Sequence, residues 1–296
     1  MKLKASHVAR YFQFCAERHA IYACRQRGDE WPWTTNEILK TYKFTNVYRE
    51  LDIGTVWLRE NIRGPYADDP ELFFNIALYR RYNYWPMAEC IGYVDVYEEV
   101  LQLPDIARSY KTHGGQVFTG AHMINCPKPF KSKIDYVFDI GAKELWEKRR
   151  GIEDCHSLQE AFNWLKTLGG FGPFISYEVV TDLRWTRYLQ DAPDINTWAN
   201  PGPGAQRGIL RLMDYPINNH AGLPKLPPGV KCPGSFIAAM QALLEKSRSV
   251  LPDWMPAFEL RDVEHSLCEF DKYERVRTGE GRPRSKFVPP HLRDQV

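Results

Sequence analysis

The chain has 296 residues, 44% of them hydrophobic and 26% charged, with a formal net charge of +2. That composition excludes disorder as the main state, and the charge is too small to mark a nucleic-acid binder by bulk electrostatics. Its apolar runs fall far short of a membrane span, and the start MKLKASHVAR has no apolar signal core, so no membrane partner is expected and the cytoplasm is the expected compartment. Seven scattered cysteines without a C-x-x-C pair argue for reduced thiols rather than a disulfide framework or zinc site; no metal or cofactor is expected. Aromatics make up 14%, many in polar surroundings, which suits base stacking as well as core filling.

In chain order, apolar residues at helical spacing (Val8, Tyr11, Phe12, Cys15, Ile21, Tyr22) predict an amphipathic helix ending at Gly28. Thr35 or Asn36 caps a short helix over 37–42, and 46–63 reads as one longer helix. Asp69-Pro70-Glu71 has first-turn order and opens 72–82, followed by helical stretches over 87–96 and from Val100 onward. The stretch 111–133, with Gly, Pro and β-branched residues but no period, reads as a long loop with room for one short hairpin. Its Gln116, Phe118, Thr119, His122 and Asn125 are candidates for a wedge or for reading a base. Helices resume at 133–150, at 157–168 behind the capping box Ser157-x-x-Glu160, at 173–185, after the joint 200–208, and at 235–250. With no repeat or low-complexity linker, residues 1–274 read as one mostly helical domain and 275–296 as a basic extended tail.

Leu168-Gly169-Gly170-Phe171-Gly172-Pro173 lies between two helices, and its glycines permit positive φ while N–H groups at the new helix start can hold a phosphate. A plain tight turn is the alternative. Downstream comes Asp194 at the start of a further element. That order resembles the helix-hairpin-helix DNA glycosylase superfamily, in which such a hairpin grips the DNA backbone and an Asp enters the base pocket. Here Gly169 stands where that superfamily usually has Pro, and Phe174, Ile175 and Ser176 stand where a Lys nucleophile would follow the hairpin.

Larger strings carry a second resemblance: Phe44 to Asp52, Gly172-Pro173-Phe174 with Glu178, Thr181-Asp182-Leu183, Asn200-Pro201-Gly202-Pro203-Gly204 with Arg207-Gly208, and Asp262 to Tyr273. Together they resemble the alpha-glutamyl/putrescinyl thymine pyrophosphorylase family, found mainly in phages with hypermodified thymine. The resemblance implies an all-α, glycosylase-like fold acting on duplex DNA that carries 5-hydroxymethyluracil activated as a phosphate or pyrophosphate ester. An amine such as an amino acid or putrescine displaces that ester. Related helical domains occur fused to kinases that phosphorylate 5-hydroxymethyluracil in DNA, so a place after a separate DNA kinase fits. This chain itself has no G-x-x-x-x-G-K-[ST] string.

Amine transfer needs an anion pocket, an extruded base and an unprotonated amine. For the leaving group, Gly202, Gly204 and Arg207 offer N–H groups and a guanidinium, and the 44–52 string adds Asn46, Arg49 and Glu50; Asn46 and Glu50 are expected one turn apart on a helix face, with a structural Arg–carboxylate pair as the alternative. Asp194 is the first candidate base by position, with Glu264, His265 and Glu269 the second group. Glu178 and Asp182, one turn apart on an apolar helix, either hold the amine's ammonium or pair with the nearby Arg184 and Arg187. Gly170, Gly172, Arg184, Arg282, Arg284 and Lys286 are the candidate DNA contacts. Two alternatives remain open: a glycosylase acting on a modified pyrimidine, which would leave abasic sites, and a non-catalytic base-flipping partner of a kinase.

Overall fold

The computed structural model describes residues 2–120, 124–217, 225–283 and 285–289. Among them the fold is all-α: α1 (Ala5–Arg27), α2 (Glu37–Thr41), α3 (Ile53–Leu58), α4 (Leu72–Tyr82), α5 (Trp85–Ile91), α6 (Tyr97–Thr112), α7 (Gly141–Lys148), α8 (Leu158–Leu165), α9 (Pro173–Leu183), α10 (Pro203–Leu212), α11 (Gly234–Val250) and α12 (Leu260–Arg277). Short 3-10 and π turns extend several of them. The hairpin allowed for in 111–133 does not form among the described residues; the isolated β-bridge pairs Tyr42 with Lys286 instead. No described helix is long and apolar enough to cross a membrane. The chain divides into two compact units, one built from 1–52 with 196–296 and the other from 53–195.

In the first unit, α1 buries Val8, Tyr11, Phe12, Phe14, Cys15 and Ile21 and stops at Gly28, whose φ of 77° closes the helix in the left-handed conformation that glycine takes without penalty. Tyr11 and Phe14 pack on Phe270 of α12, and the Tyr11 hydroxyl meets Ser266 Oγ at 2.7 Å. Asn36 caps α2 by accepting from the N–H groups of Ile38 and Leu39. In this unit α10 packs closely on α12. A Cβ on Gly204 would come within 2.2 Å of Cys268 Sγ, and one on Gly208 within 2.4 Å of the Leu267 carbonyl oxygen. These glycines stand one turn apart, so the α10 backbone lies directly on α12 along that face.

The helix expected over 46–63 is broken. Asn46 Nδ2 donates to Leu51 O at 2.7 Å and its backbone N–H to Asp52 Oδ1 at 3.1 Å, closing a local loop that competes with helix. Only a 3-10 turn, Arg49–Leu51, forms before α3 begins at Ile53. Asn46 and Glu50 therefore do not share a helix face.

The second unit is organised by α4, every residue of which is buried, Arg80 and Arg81 included. Arg80 forks onto Asp182 of α9, Nη2 to Oδ1 at 2.8 Å, and also reaches Thr55 and Asn83. Such a fork satisfies both buried ions at once. Ser157 caps α8 by accepting from Glu160 N–H, whereas the Glu160 carboxylate reaches past the expected box partner to His156 N–H. The remaining first-turn donors of α8, Leu158 N–H and Gln159 N–H, go to the two carboxylate oxygens of Asp194 at 2.8 and 2.9 Å.

Two substitutions test this packing. In an open helix Gly→Ala gains up to about 1 kcal/mol, but at Gly208 the methyl meets backbone that cannot rotate away. Gly208→Ala is expected to lose a net ~1–2 kcal/mol in urea unfolding; equal or higher stability would refute the close contact. Asp194→Ala removes the carboxylate over α8 and is expected to cost about 1–2 kcal/mol, measured in the same way, with no change meaning that the cap is dispensable.

Candidate functional site

Three strings far apart in sequence converge in the first unit: the 44–52 loop, the glycine joint that opens α10, and the middle of α12. Gly202 is the residue before α10, and its N–H donates to Glu264 Oε1 at 3.1 Å. Burial pushes the Glu264 carboxyl up to about 7, although the Gly202 N–H and the Arg49 charge both act to lower it. On the next residue of the helix, His265 Nε2 donates to Asn46 O at 3.0 Å, with Thr45 Oγ1 at 3.2 Å and Asp52 Oδ2 at 3.7 Å. Burial holds this imidazole below its ordinary value, against the pull of Asp52. It is thus an uncharged ring at neutral pH, oriented by backbone.

Glu269 Oε2 accepts Thr45 N–H at 2.9 Å and pairs with Lys272 at 2.6 Å, so this carboxylate anchors the loop. Glu50 lies 3.8 Å from Arg261. Arg207 Nε donates to Asp271 Oδ2 at 2.8 Å while Arg211 Nε donates to Oδ1 at 2.7 Å. One buried carboxylate therefore bridges two arginines of α10, leaving a net positive charge on that cluster before Glu280 pairs with Arg211 at 2.8 Å. Sequence reasoning passed over Asp271 as a site residue, although Arg207 and Arg211, one turn apart on a buried helix, call for an acid opposite them. Thr45, Asp52 and Lys272 were also missed. Thr45 meets Glu269 and His265 across more than 200 residues, which leaves no local signal, whereas Lys272 pairs with Glu269 only three residues before it.

The other candidates lie in the second unit or the terminal segment. Asp182 is wholly buried and engaged by Arg80, with Arg63 Nη1 at 4.0 Å. Arg184 donates to Gln190 O, and Arg187 donates to the carbonyls of Ala67 and Asp69. Glu178 is buried on the same helix. In the glycine hairpin Gly170 has a φ of 84°, Gly169 N–H donates to Glu144 Oε2 at 3.2 Å, and Gly172 precedes α9 with Pro173 at its first position. Asp194 has both oxygens engaged over α8. The basic segment folds back on α2: Lys43 N–H donates to Ser285 O at 3.1 Å and Phe287 N–H to Thr41 O at 2.9 Å. Arg282 and Lys286 are exposed there. Arg284 and His122 lie outside the described residues. Among the described residues no cluster of three or more His, Cys, Asp or Glu is placed to hold a metal ion.

Comparison with known proteins follows the same outline. The family model described as 5-hmdU DNA kinase, helical domain, matches residues 5–282. A 5-hmdU DNA kinase of Bacillus phage SP10 is 28% identical over 232 residues, which cover 69% of this chain and 36% of that protein. The chain thus matches little more than a third of the length of this relative. No solved structure matches. All three convergent strings fall inside the matched span, and the chain belongs to the 5-hmdU DNA kinase helical-domain family.

Proposed function

We propose that this chain acts in the modification of 5-hydroxymethyluracil in DNA, and that it joins an amine, an amino acid or a polyamine, to that base once its hydroxymethyl oxygen carries phosphate or pyrophosphate. The observation that carries the proposal is the Glu264 carboxyl, raised to about 7 and set against the glycine-rich start of α10. A carboxyl titrating near neutrality can take the proton that an attacking amine gives up as its bond to carbon forms, without being permanently protonated itself.

In the proposed step the amine nitrogen bonds to the exocyclic methylene carbon, the carbon–oxygen bond breaks, and the ester leaves as (pyro)phosphate. The proton released by the nitrogen goes to Glu264. Arg49, whose charge acts on that carboxyl, and the Gly202 and Gly204 region beside Arg207 would receive the leaving anion. His265 and Glu269 hold the 44–52 loop in place through Asn46 and Thr45. Glu264 takes precedence over Asp194 as the proton acceptor because both Asp194 oxygens already accept backbone N–H groups. Glu178 and Asp182 belong to the second unit and are given no part in this step, Asp182 being bound to Arg80.

A second reading is favoured by the name of the phage relative: a helical module that presents 5-hydroxymethyluracil DNA to a kinase and has no turnover of its own. Nucleoside mass spectrometry separates the two. Phosphorylated 5-hydroxymethyluracil DNA is incubated with the protein and a panel of amino acids and polyamines. Amine adducts are expected, whereas tight binding without products supports the module and abasic sites point to a glycosylase. For the transferase, the rate should rise tenfold per pH unit below about 7 and level off above it, because only the ionised Glu264 accepts the proton. Glu264→Gln should lower the rate at least about 100-fold while duplex affinity stays within a few-fold. An unchanged rate would remove Glu264 from the reaction.

A further inference from the structure

In the second unit, one side of α6 carries a group of side chains that none of this chemistry uses. Gln102, Asp105, Ile106, Ser109, Tyr110 and His113 recur at helical spacing, and with Cys90 of α5 they line an open cavity of about 650 Å³. Two of these side chains are held in place by backbone. A Cβ on Gly115 would fall 2.3 Å from the Tyr110 ring, so that ring rests on bare main chain, and Gly115 N–H donates to Tyr110 O at 2.9 Å. His113 Nδ1 donates to the Ser109 carbonyl at 2.8 Å, which leaves Nε2 of the neutral ring as an acceptor.

The charge around this space is mostly of one sign. From Asn83 to Ala107 the sequence has no Lys, Arg or His, yet it has Glu89, Asp95, Glu98, Glu99 and Asp105. Glu89 is exposed beside Cys90. Desolvation, then Tyr84, Cys90 and Glu89, raise the Tyr110 hydroxyl, so the Glu89 charge is felt at that ring. Arg108 is shared between two acids: Nη1 donates to Asp105 at 2.9 Å and Nη2 to Asp135 at 2.6 Å, so one guanidinium serves two carboxylates. By helical spacing Lys111 stands on the far side of α6 from Gln102 and Ser109. Among the described residues no three His, Cys, Asp or Glu converge for a metal ion, which leaves an extended organic cation as the positive ligand that suits the space.

We infer that this cavity binds an aliphatic amine with two or more ammonium groups, one against the Tyr110 ring and another beside Asp105 or Glu89. The volume suits a small ligand, an aromatic face attracts an ammonium group, and Gln102, Ser109 and the His113 Nε2 add acceptors for its N–H groups. A polyamine fits better than an amino acid, because no Lys or Arg lines the space to receive a carboxylate. DNA is a poor occupant of the same face, since its phosphates would meet acids. Glu264 belongs to the first unit, and the inference does not rest on the reaction proposed there.

The test titrates the full chain with spermidine, by calorimetry for affinity and by amide NMR for place, with glutamate and with magnesium chloride of matched ionic strength as controls. Saturable binding of spermidine is expected, with the amides of Cys90, Ser109 and His113 shifting together. Glu89→Gln combined with Asp105→Asn changes two exposed side chains and so leaves the core intact; it should weaken spermidine at least about tenfold, and Tyr110→Leu should do the same. Shifts that magnesium chloride reproduces in full would reduce the effect to screening and overturn the inference. Spermidine that binds without moving these three amides, or equally well in the Glu89→Gln/Asp105→Asn variant, would also overturn it, and glutamate binding as tightly as spermidine would overturn the choice of a polyamine.

Discussion

The contact between α10 and α12 is the constraint on which the first unit depends. Only glycine at 204 and 208 lets one helix backbone rest on the other, and that approach sets the start of α10 against Glu264. With larger residues the helices would separate, Gly202 N–H would lose its carboxylate, and Glu264 would be hydrated back toward an ordinary acid. The same approach brings Arg207 and Arg211 onto Asp271, so helix spacing and charge pairing reinforce each other. The 44–52 loop is then fastened to α12 by Glu269 and His265.

The second unit solves a related problem differently. A fully buried α4 carries two consecutive arginines, and their fates diverge. Arg80 finds the Asp182 carboxylate and neutral acceptors in Thr55 and Asn83, which makes it a cross-link between α4 and α9. Arg81 finds only rings and carbonyl oxygens. Removing one partner of a buried ion pair is costly because the other is stranded. Arg80 and Asp182 therefore read as structural, and Arg81 as a buried cation held by rings and carbonyl oxygens with the Glu144 charge acting on it.

Local chemistry was legible in the sequence. Gly28 as a terminator, Asn36 as a cap, Ser157 before α8 and the span of α4 all follow from residue types within a few positions. The helix over 46–63 was misread because Asn46 has an alternative that periodicity does not register, the carbonyl of Leu51 and the carboxylate of Asp52. Asp194 was weighed by position alone; its engagement with the start of α8 connects residues about 35 apart and leaves no trace in spacing. The resemblance picked out the 44–52, 200–208 and 262–273 strings, yet which atoms meet became visible only once the helices were packed.

The central claim is that the fold tunes one α12 carboxyl to neutrality at the mouth of α10. Carboxyl-carbon NMR of the full chain, followed across pH with the Gly202 amide as a second reporter, measures this directly. The account predicts a Glu264 midpoint at about 7 with the Gly202 amide shifting in step. A midpoint at the ordinary 4.5, with the Gly202 amide indifferent to it, would contradict it.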